Sequence, residues 1–352
     1  MIFRRMLTLL LCTVLITLSA GTVFCEGCTP ADETAADGKI HIKALILSKF
    51  EVDDYFGDFP GEAQFYHEYY LEDDTTYEIP GGMEGSRLHV SGEVALYVTG
   101  MGKVNAALST MAVLSDDRFD FSDAYILSTG CAGGATGFSV MGDVVVVSAA
   151  VDYDLGHHAD IRDLAAQASG TWFHDPDYDS AAVVMLNSDL TERAFELVKD
   201  LPMATTQNTR NYMRTAFNGA EWAVRDPKVL RGTTVTGDNY WKGSYDHANA
   251  LQMVQTYSCP DPFATTEMEE IGVCLAARRM GMLNRLIILR GVVNMDTFLL
   301  GATPEKLWDP QAELTVATEE ENIESVDIFI TEMANIFSVG STIIDTILNG
   351  NL

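Results

Sequence analysis

The feature that most constrains the fold of this chain is a set of short runs rich in Val, Ile and Leu, several of which are unbroken. These runs lie at residues 43–47, 94–98, 125–127, 144–151, 229–235 and 286–289. A strand with one face in water alternates polar and apolar residues, whereas a strand covered on both faces is apolar throughout. Segments with helical spacing separate the runs, at residues 105–114, 190–199, 245–257, 269–280 and 322–348. The pattern predicts an α/β fold with a mostly buried, mixed sheet flanked by helices.

The composition is that of a single large globular domain. Of the 352 residues, 47% are hydrophobic and 21% are charged, so the chain can bury a large core. The sequence has no internal repeat and no linker rich in Pro, Gly or Ser that would divide it. Acidic residues outnumber basic ones by 51 to 22, and the net charge of -29 would repel a phosphate backbone. Nucleic acid is therefore not an expected partner.

The N-terminus has the order of segments that is typical of a secretory signal. Arg4 and Arg5 precede an apolar run at residues 6–18, and small residues follow at 19–21. This run is shorter than the roughly 20 residues that a spanning helix needs. We predict a signal peptide at residues 1–25, an acidic spacer at 26–40 and the folded domain at 41–352. The mature chain would then be exported, whether secreted, periplasmic or at the cell surface; a lipid anchor at Cys25 and association with a membrane stay open.

Polar residues and glycines follow four of the apolar runs. They occupy residues 48–51, 99–103, 128–134 and 290–296. Ligands of open α/β sheets bind beyond the carboxyl ends of the strands, so we expect the binding site to form from these segments. The sequence contains no GxxxxGK[ST] and has no GxGxxG after the first run, so no ATP or NAD motif is present. No cofactor is expected.

Taken in chain order, several segments resemble a known family. Residues 127–134 (LSTGCAGG), 266–269 (TEME) and 290–296 (RGVVNMD) are similar to the three signatures of the nucleoside phosphorylase and nucleosidase superfamily. Residues 57–64 (GDFPGEAQ), 99–107 and 235–241 (VTGDNYW) resemble the purine nucleoside permease family, which is itself similar to that superfamily. The resemblance implies a nucleoside phosphorylase-like fold and a purine nucleoside as the ligand.

The resemblance also implies roles for individual residues. Met268 and Glu269 match the pair that holds the ribose, with the carboxylate accepting hydrogen bonds from the 2′ and 3′ hydroxyls. Asp296 lies where the superfamily carries the acid that protonates the purine at N7, and Asn294 is the alternative contact to the base because an amide both donates and accepts. Gly130 and Cys131 would approach the ligand through their backbone.

Glu51 bears on whether water or phosphate is the nucleophile. In the hydrolytic branch of the superfamily an acid after the first strand orients the attacking water, whereas the phosphorolytic branches place arginines there and near the third strand. Residues 48–51 and 127–128 contain no Arg, which favours water, although Lys49 and Lys103 keep phosphate open. Glu51 and Asp296 are therefore the predicted catalytic residues.

Two further residues, His157 and Asn211, are expected to contact the ligand. His157 is expected near the 5′ end of the nucleoside, and Asn211 near the base. The cluster around His157 and His158 fixes no ligand geometry, so no metal site is expected. We predict an exported protein that binds purine nucleosides and cleaves the N-glycosidic bond; the alternative is a non-catalytic binding or uptake component. A homo-oligomer and a separate membrane transport partner stay open.

Overall fold

The computed structural model describes residues 38–160, 171–297 and 325–352. The predicted signal peptide and most of the predicted spacer lie outside the described residues. All described residues belong to one compact unit, Thr34–Leu352.

The chain alternates between strands and helices. The strands are β1 (Ile40–His41), β2 (Ala44–Ser48), β3 (Thr75–Glu78), β4 (Arg87–Ser91), β5 (Val94–Val98), β6 (Phe119–Asp120), β7 (Tyr125–Gly134), β8 (Val144–Asp152), β9 (His157–His158), β10 (Trp172–Phe173), β11 (Val183–Met185), β12 (Val229–Thr236), β13 (Phe263–Glu267) and β14 (Leu286–Met295). The helices are α1 (Gln64–Tyr70), α2 (Lys103–Leu114), α3 (Asp179–Ala182), α4 (Ser188–Val198), α5 (Gln207–Ala216), α6 (Ser244–Thr256), α7 (Glu270–Arg279) and α8 (Ser325–Leu348).

Ten strands form one mixed sheet, which confirms the predicted fold class. Its hydrogen-bonded order is β11-β8-β12-β13-β7-β2-β5-β4-β3, and β14 pairs with both β7 and β8. The pairings of β14, β7, β13, β12 and β8 therefore close into a ring. Every residue of β2, β5 and β8 is buried, as the unbroken apolar runs predicted. Helices pack on the sheet, and two large apolar clusters hold them there.

Strands β7 and β14 extend well beyond the apolar runs that predicted them. They pair in parallel from Leu286 opposite Ile126 to Met295 opposite Gly134. Residues 128–134 and 290–295 therefore belong to the strands themselves, whereas the sequence pattern placed them after the strands. The physical reason is close packing: a Cβ atom at Gly134 would lie 2.6 Å from Cγ1 of Val292. The glycines let polar strand segments remain in the sheet.

The C-terminal helix α8 packs on β14, β7 and α4. Its apolar side chains Ile336, Val339, Ile343 and Ile344 are buried in the same cluster as β2 and β8. Among the described residues, the stretch Ile328–Leu348 is long and apolar enough to cross a membrane by length and composition, yet half of its most apolar window is buried inside the protein. The same burial is expected of a core helix.

Candidate functional site

The candidate site is a cavity of about 190 Å³ beside the carboxyl-terminal halves of β7, β13 and β14. A second cavity of about 30 Å³ adjoins it. The two share six lining residues, which makes them parts of one cleft: Gly133, Tyr240, Thr266, Glu267, Met268 and Asn294. The larger part is also lined by Lys49, Phe50, Glu62, Met101, Cys131, Ala132, Glu269 and Val293. The smaller part is also lined by Asn239, Trp241 and Asp296.

One buried guanidinium, that of Arg290 in β14, lies among three carboxylates beside this cavity. Its Nη2 is 2.6 Å from Oε1 of Glu270, 3.1 Å from Oε2 of Glu269 and 3.3 Å from Oε2 of Glu267. Burial opposes the charge of Arg290, but the three acids raise its pKa well above the usual value. The arginine thus stabilises negative charge that would otherwise be too costly to bury.

Lys49 is the one cation among the described residues that line the cavity, and it is already engaged. Its buried ammonium donates to Oγ of Ser128 at 2.6 Å and lies 3.4 Å from Oε1 of Glu270. Burial would raise the pKa of Glu270, but Lys49 and Arg290 lower it below the usual value. Glu270 is therefore ionised and balances these two cations.

Glu269 lies at the start of α7 with its side chain buried in the cavity wall. Its Oε1 accepts from the N–H of Gly102 at 3.1 Å, and its Oε2 faces Arg290. The neighbouring Glu267 accepts from the backbone N–H of Glu269 at 2.6 Å and of Glu270 at 2.8 Å, which fixes this turn. Burial raises the pKa of Glu269, with Arg290 opposing the shift. A buried carboxylate in this position can bind hydroxyl donors strongly.

Glu62 lies in the segment that connects β2 to α1, and it lines the cavity. It is buried, and its two oxygens accept from the N–H of Lys49 at 2.8 Å and of Cys131 at 2.7 Å. These bonds tie the residue to the ends of β2 and β7. Sequence reasoning quoted Glu62 within a family motif but gave it no role.

Glu51, in contrast, does not line the cavity. Its Oε2 accepts from the N–H of Ala63 at 2.7 Å and of Gln64 at 2.6 Å, and its Oε1 accepts from Val52 at 2.9 Å and from Gly61. The side chain therefore holds the start of α1, whereas Glu62 lines the cavity.

Asp296 lies in the smaller part of the cleft and is buried. Its Oδ1 accepts from the N–H of Thr136 at 3.0 Å, and its Oδ2 is 2.6 Å from Nδ1 of His247. Asn294 lines both parts of the cleft, so the amide and the carboxylate approach the same space from the end of β14. His247, on α6, was not found by sequence reasoning because no motif surrounds it.

The remaining predicted residues divide into two groups. Met268 and Cys131 line the cavity, and Gly130 lies beneath it in β7, where a Cβ atom would be 2.7 Å from Oε1 of Glu62. His157 is largely exposed in β9 and lies 3.4 Å from Asp175. Asn211, in α5, accepts from Gln207. Neither of these two lines the cavity, because β9 and α5 place them elsewhere on the surface.

The fold and the cleft define a protein of the nucleoside phosphorylase and nucleosidase class of folds. A 5′-methylthioadenosine/S-adenosylhomocysteine nucleosidase of Neisseria meningitidis, in complex with methylthio-immucillin-A, is similar with 18% identity and a TM-score of 0.50, covering 86% of this chain and 99% of that one. The native futalosine hydrolase of Helicobacter pylori is similar with 14% identity and a TM-score of 0.53, covering 86% and 97%. At these identities the likeness shows the fold alone.

Residues 41–351 match the purine nucleoside permease (NUP) family, and the chain belongs to that family. This confirms the resemblance found in the sequence. A probable purine nucleoside permease of Schizosaccharomyces pombe is 31% identical over 223 residues, which are 56% of this chain and 63% of the relative. The chain thus spans less than two thirds of the length of the curated relatives it matches.

Proposed function

We propose that the cleft binds a purine nucleoside and that the protein hydrolyses its N-glycosidic bond. The observation that carries this proposal is the placement of acids in one cleft. The buried carboxylates of Glu62 and Glu269 line the larger part, while Asn294 and Asp296 meet in the smaller part. The names of the family and of its relatives, and the nucleosidase fold, support the choice of ligand.

The larger part of the cleft suits the ribose. Glu269 offers a carboxylate to the 2′ and 3′ hydroxyls, and Met268 supplies an apolar contact next to it. As the glycosidic bond breaks, the sugar develops positive charge, and a fixed negative group lowers the free energy of that state. Glu62 lies in the same wall and can accept the proton of a water molecule that attacks C1′.

The smaller part of the cleft suits the purine. Asn294 can donate and accept at the edge of the base. Asp296, held by Thr136 and His247, would deliver a proton to N7, so that the electron pair of the C1′–N9 bond leaves on a neutral base. The hydroxyl of water then forms the new bond to C1′, and its proton passes to Glu62. The products are free ribose and the purine.

Water is favoured over phosphate by the charges in the cavity. Lys49 is engaged by Ser128 and Glu270. Lys103 lies 2.8 Å from Asp152 and 2.7 Å from Asp154. A phosphate dianion would also meet the carboxylates of Glu62 and Glu269, and like charges at close range repel strongly in a buried site.

The test is to incubate the purified protein with inosine, adenosine and guanosine, with and without phosphate. We expect release of the base and of free ribose at a rate that phosphate does not change. Ribose 1-phosphate as the main sugar product would contradict hydrolysis. Glu84→Gln, in an exposed loop, is the matched control for the acid variants.

Nucleoside binding for uptake, without chemistry, is the second candidate. It is favoured by the permease names of the relatives and by the two hydrogen bonds that already occupy the carboxylate of Asp296. In that case the protein would bind nucleosides, release no base over hours, and deliver its ligand to a membrane partner. Titration calorimetry alongside the product assay separates the two functions.

A further inference from the structure

Three potential metal ligands converge outside the residues that line the cleft. They are His67 of α1, Asp74 before β3 and His89 of β4, which we call the His–Asp–His cluster. One ligand atom from each residue lies within 4.8 Å of the others. Oδ2 of Asp74 is 3.6 Å from Nε2 of His67 and also contacts Nδ1 of His89. Both imidazoles thus point at the same carboxylate oxygen.

The surroundings shield the cluster from water. The side chains of His67, Asp74 and His89 are only 14%, 16% and 11% exposed. The ring of Tyr55 covers both imidazoles, with centroids 5.5 Å from His67 and 4.5 Å from His89. The two histidine rings are nearly perpendicular, at 89° and 5.0 Å apart.

We propose that the His–Asp–His cluster binds a divalent transition metal, with zinc as the ion. Imidazole nitrogen and carboxylate oxygen are both zinc ligands, at about 2.0–2.2 Å, and three of them leave a fourth tetrahedral position for water. Two nitrogens in a set of three disfavour Mg²⁺ and Ca²⁺, which prefer oxygen. The three ligand atoms already lie within 4.8 Å of one another.

The bound ion would join two neighbouring parts of the fold. It would link α1 to the β3–β4 hairpin at the edge of the sheet. The segment that leads into α1 carries Glu62, which lines the cleft, and is fastened through Glu51 to Ala63 and Gln64. Zinc should therefore stabilise the wall of the cleft without touching the ligand.

The experiment measures zinc binding by calorimetry and the absorption of Co²⁺ in place of zinc, with the full chain. His67→Gln and His89→Gln should each remove one equivalent of bound zinc, or weaken it at least about a hundredfold, because even indirect partners of a metal contribute 10- to 100-fold. His174→Gln is the matched control, since His174 pairs with the single carboxylate of Asp179 at 2.7 Å. This control variant should bind zinc as the unaltered protein does, and Mg²⁺ should not compete with zinc.

Two comparisons keep the result decisive. Only the difference in zinc binding between variants is counted, so that zinc held elsewhere on the chain cancels. Circular dichroism of the metal-free proteins shows whether each variant folds; if His67→Gln does not, Asp74→Asn replaces it. Equal zinc stoichiometry and affinity in the unaltered protein and in a folded cluster variant would overturn the proposal. So would a Co²⁺ spectrum that shows no imidazole-dependent change.

Discussion

At the scale of single residues, the site depends on one arginine that permits several acids to be buried together. Arg290 contacts Glu267, Glu269 and Glu270, and Lys49 adds a second charge beside Glu270. Removing one partner of a buried ion pair leaves an uncompensated charge, which costs far more than the pair contributes. A fixed cationic centre therefore holds the acids of the cleft in place. Because its charges are already paired, this centre is unavailable to an anionic substrate.

Glu62 and Glu51 have separable roles that their glutamine variants should reveal. Glu62→Gln should lower base release by about a hundredfold to ten-thousandfold, the usual contribution of a positioned base. Glu51→Gln should leave the rate per folded molecule nearly unchanged and reduce stability by about 1–3 kcal/mol, because it weakens four backbone hydrogen bonds. Rate assays and urea unfolding of both variants check this. A larger rate loss for Glu51→Gln than for Glu62→Gln would restore the original assignment.

Glu269→Gln should weaken the binding of nucleosides more than the binding of free bases. The carboxylate is proposed to hold two ribose hydroxyls, and charged hydrogen bonds contribute on the order of 1.5–3 kcal/mol each. Titration calorimetry with adenosine and with adenine measures the difference. Equal losses for the two ligands would show that Glu269 does not contact the sugar.

Asp296→Asn should reduce turnover about a hundredfold to ten-thousandfold while ground-state affinity changes little. The amide retains the size and can still hydrogen-bond, but it cannot transfer a proton to the purine. His247→Gln should reduce the rate less, since it positions Asp296 and the carboxylate remains. If Asp296→Asn stays nearly as active as the unaltered protein, Asp296 is not the group that protonates the base.

At the scale of elements, α8 carries a buried acid that no described residue pairs. Both carboxyl oxygens of Glu332 lack a hydrogen-bond partner among the described residues, and burial raises its pKa well above the usual value. The folded protein then holds this proton more tightly than the unfolded chain does. The associated stability is complete below about pH 4, near the unfolded pKa, and is lost as the pH rises toward the folded pKa.

Glu332→Gln should therefore stabilise the protein at neutral pH but not at acidic pH. Glutamine cannot ionise, so the unfolded chain loses the advantage of ionising this residue, and the free energy of unfolding at pH 7 should rise by about 0.5–3 kcal/mol. The gain should shrink as the pH approaches 4, where Glu332 is protonated in both states. Urea unfolding across this range checks the trend, with Glu84→Gln as the exposed control. A gain that does not vary with pH would indicate a packing effect instead.

The elements also show what the sequence pattern could predict. Buried strands such as β5 and β8 were predicted almost to the residue, because a strand covered on both faces has no polar position to interrupt the run. Strand β13, with the sequence FATTE, was missed because two threonines and a glutamate interrupt its short apolar run. The polar ends of β7 and β14 were misplaced for the same reason.

The site was predicted less completely than the fold. Glu269, Met268 and Asn294 are in motifs, and the structure brings them to one cleft. The choice between Glu51 and Glu62 depends on how the chain from 52 to 61 returns to β2, which sequence spacing cannot specify. His247 reaches Asp296 only because α6 packs beside β13. Contacts of this kind depend on tertiary structure.

At the scale of the whole molecule, the net charge of -29 and the fold agree with a protein whose ligand is not polyanionic. At the described part of the cleft, the basic side chains of Lys49 and Arg290 are already paired with an acid, Glu270. The net negative charge of the protein repels phosphate-rich polymers. A neutral nucleoside meets no such barrier. The charge therefore favours a small neutral ligand over nucleic acid.

The last prediction concerns the fate of the chain in a cell. The pattern of Arg4, Arg5 and the apolar residues 6–18 predicts that the chain is exported and cleaved near residue 25. The described fold begins at residue 38, so removing the first 25 residues takes away none of its strands or helices. Mass spectrometry of the exported protein should show a start close to residue 26.

A variant with Leu9→Asp and Leu10→Asp breaks the apolar run and should keep the protein uncleaved inside the cell. The paired control, Asp32→Asn in the acidic spacer, should be exported and cleaved as before, because it leaves the run intact. Recovery of the unaltered chain as an integral membrane protein that still contains residues 6–18 would contradict the prediction. It would make the N-terminal run an anchor and leave the nucleoside cleft tethered to a membrane.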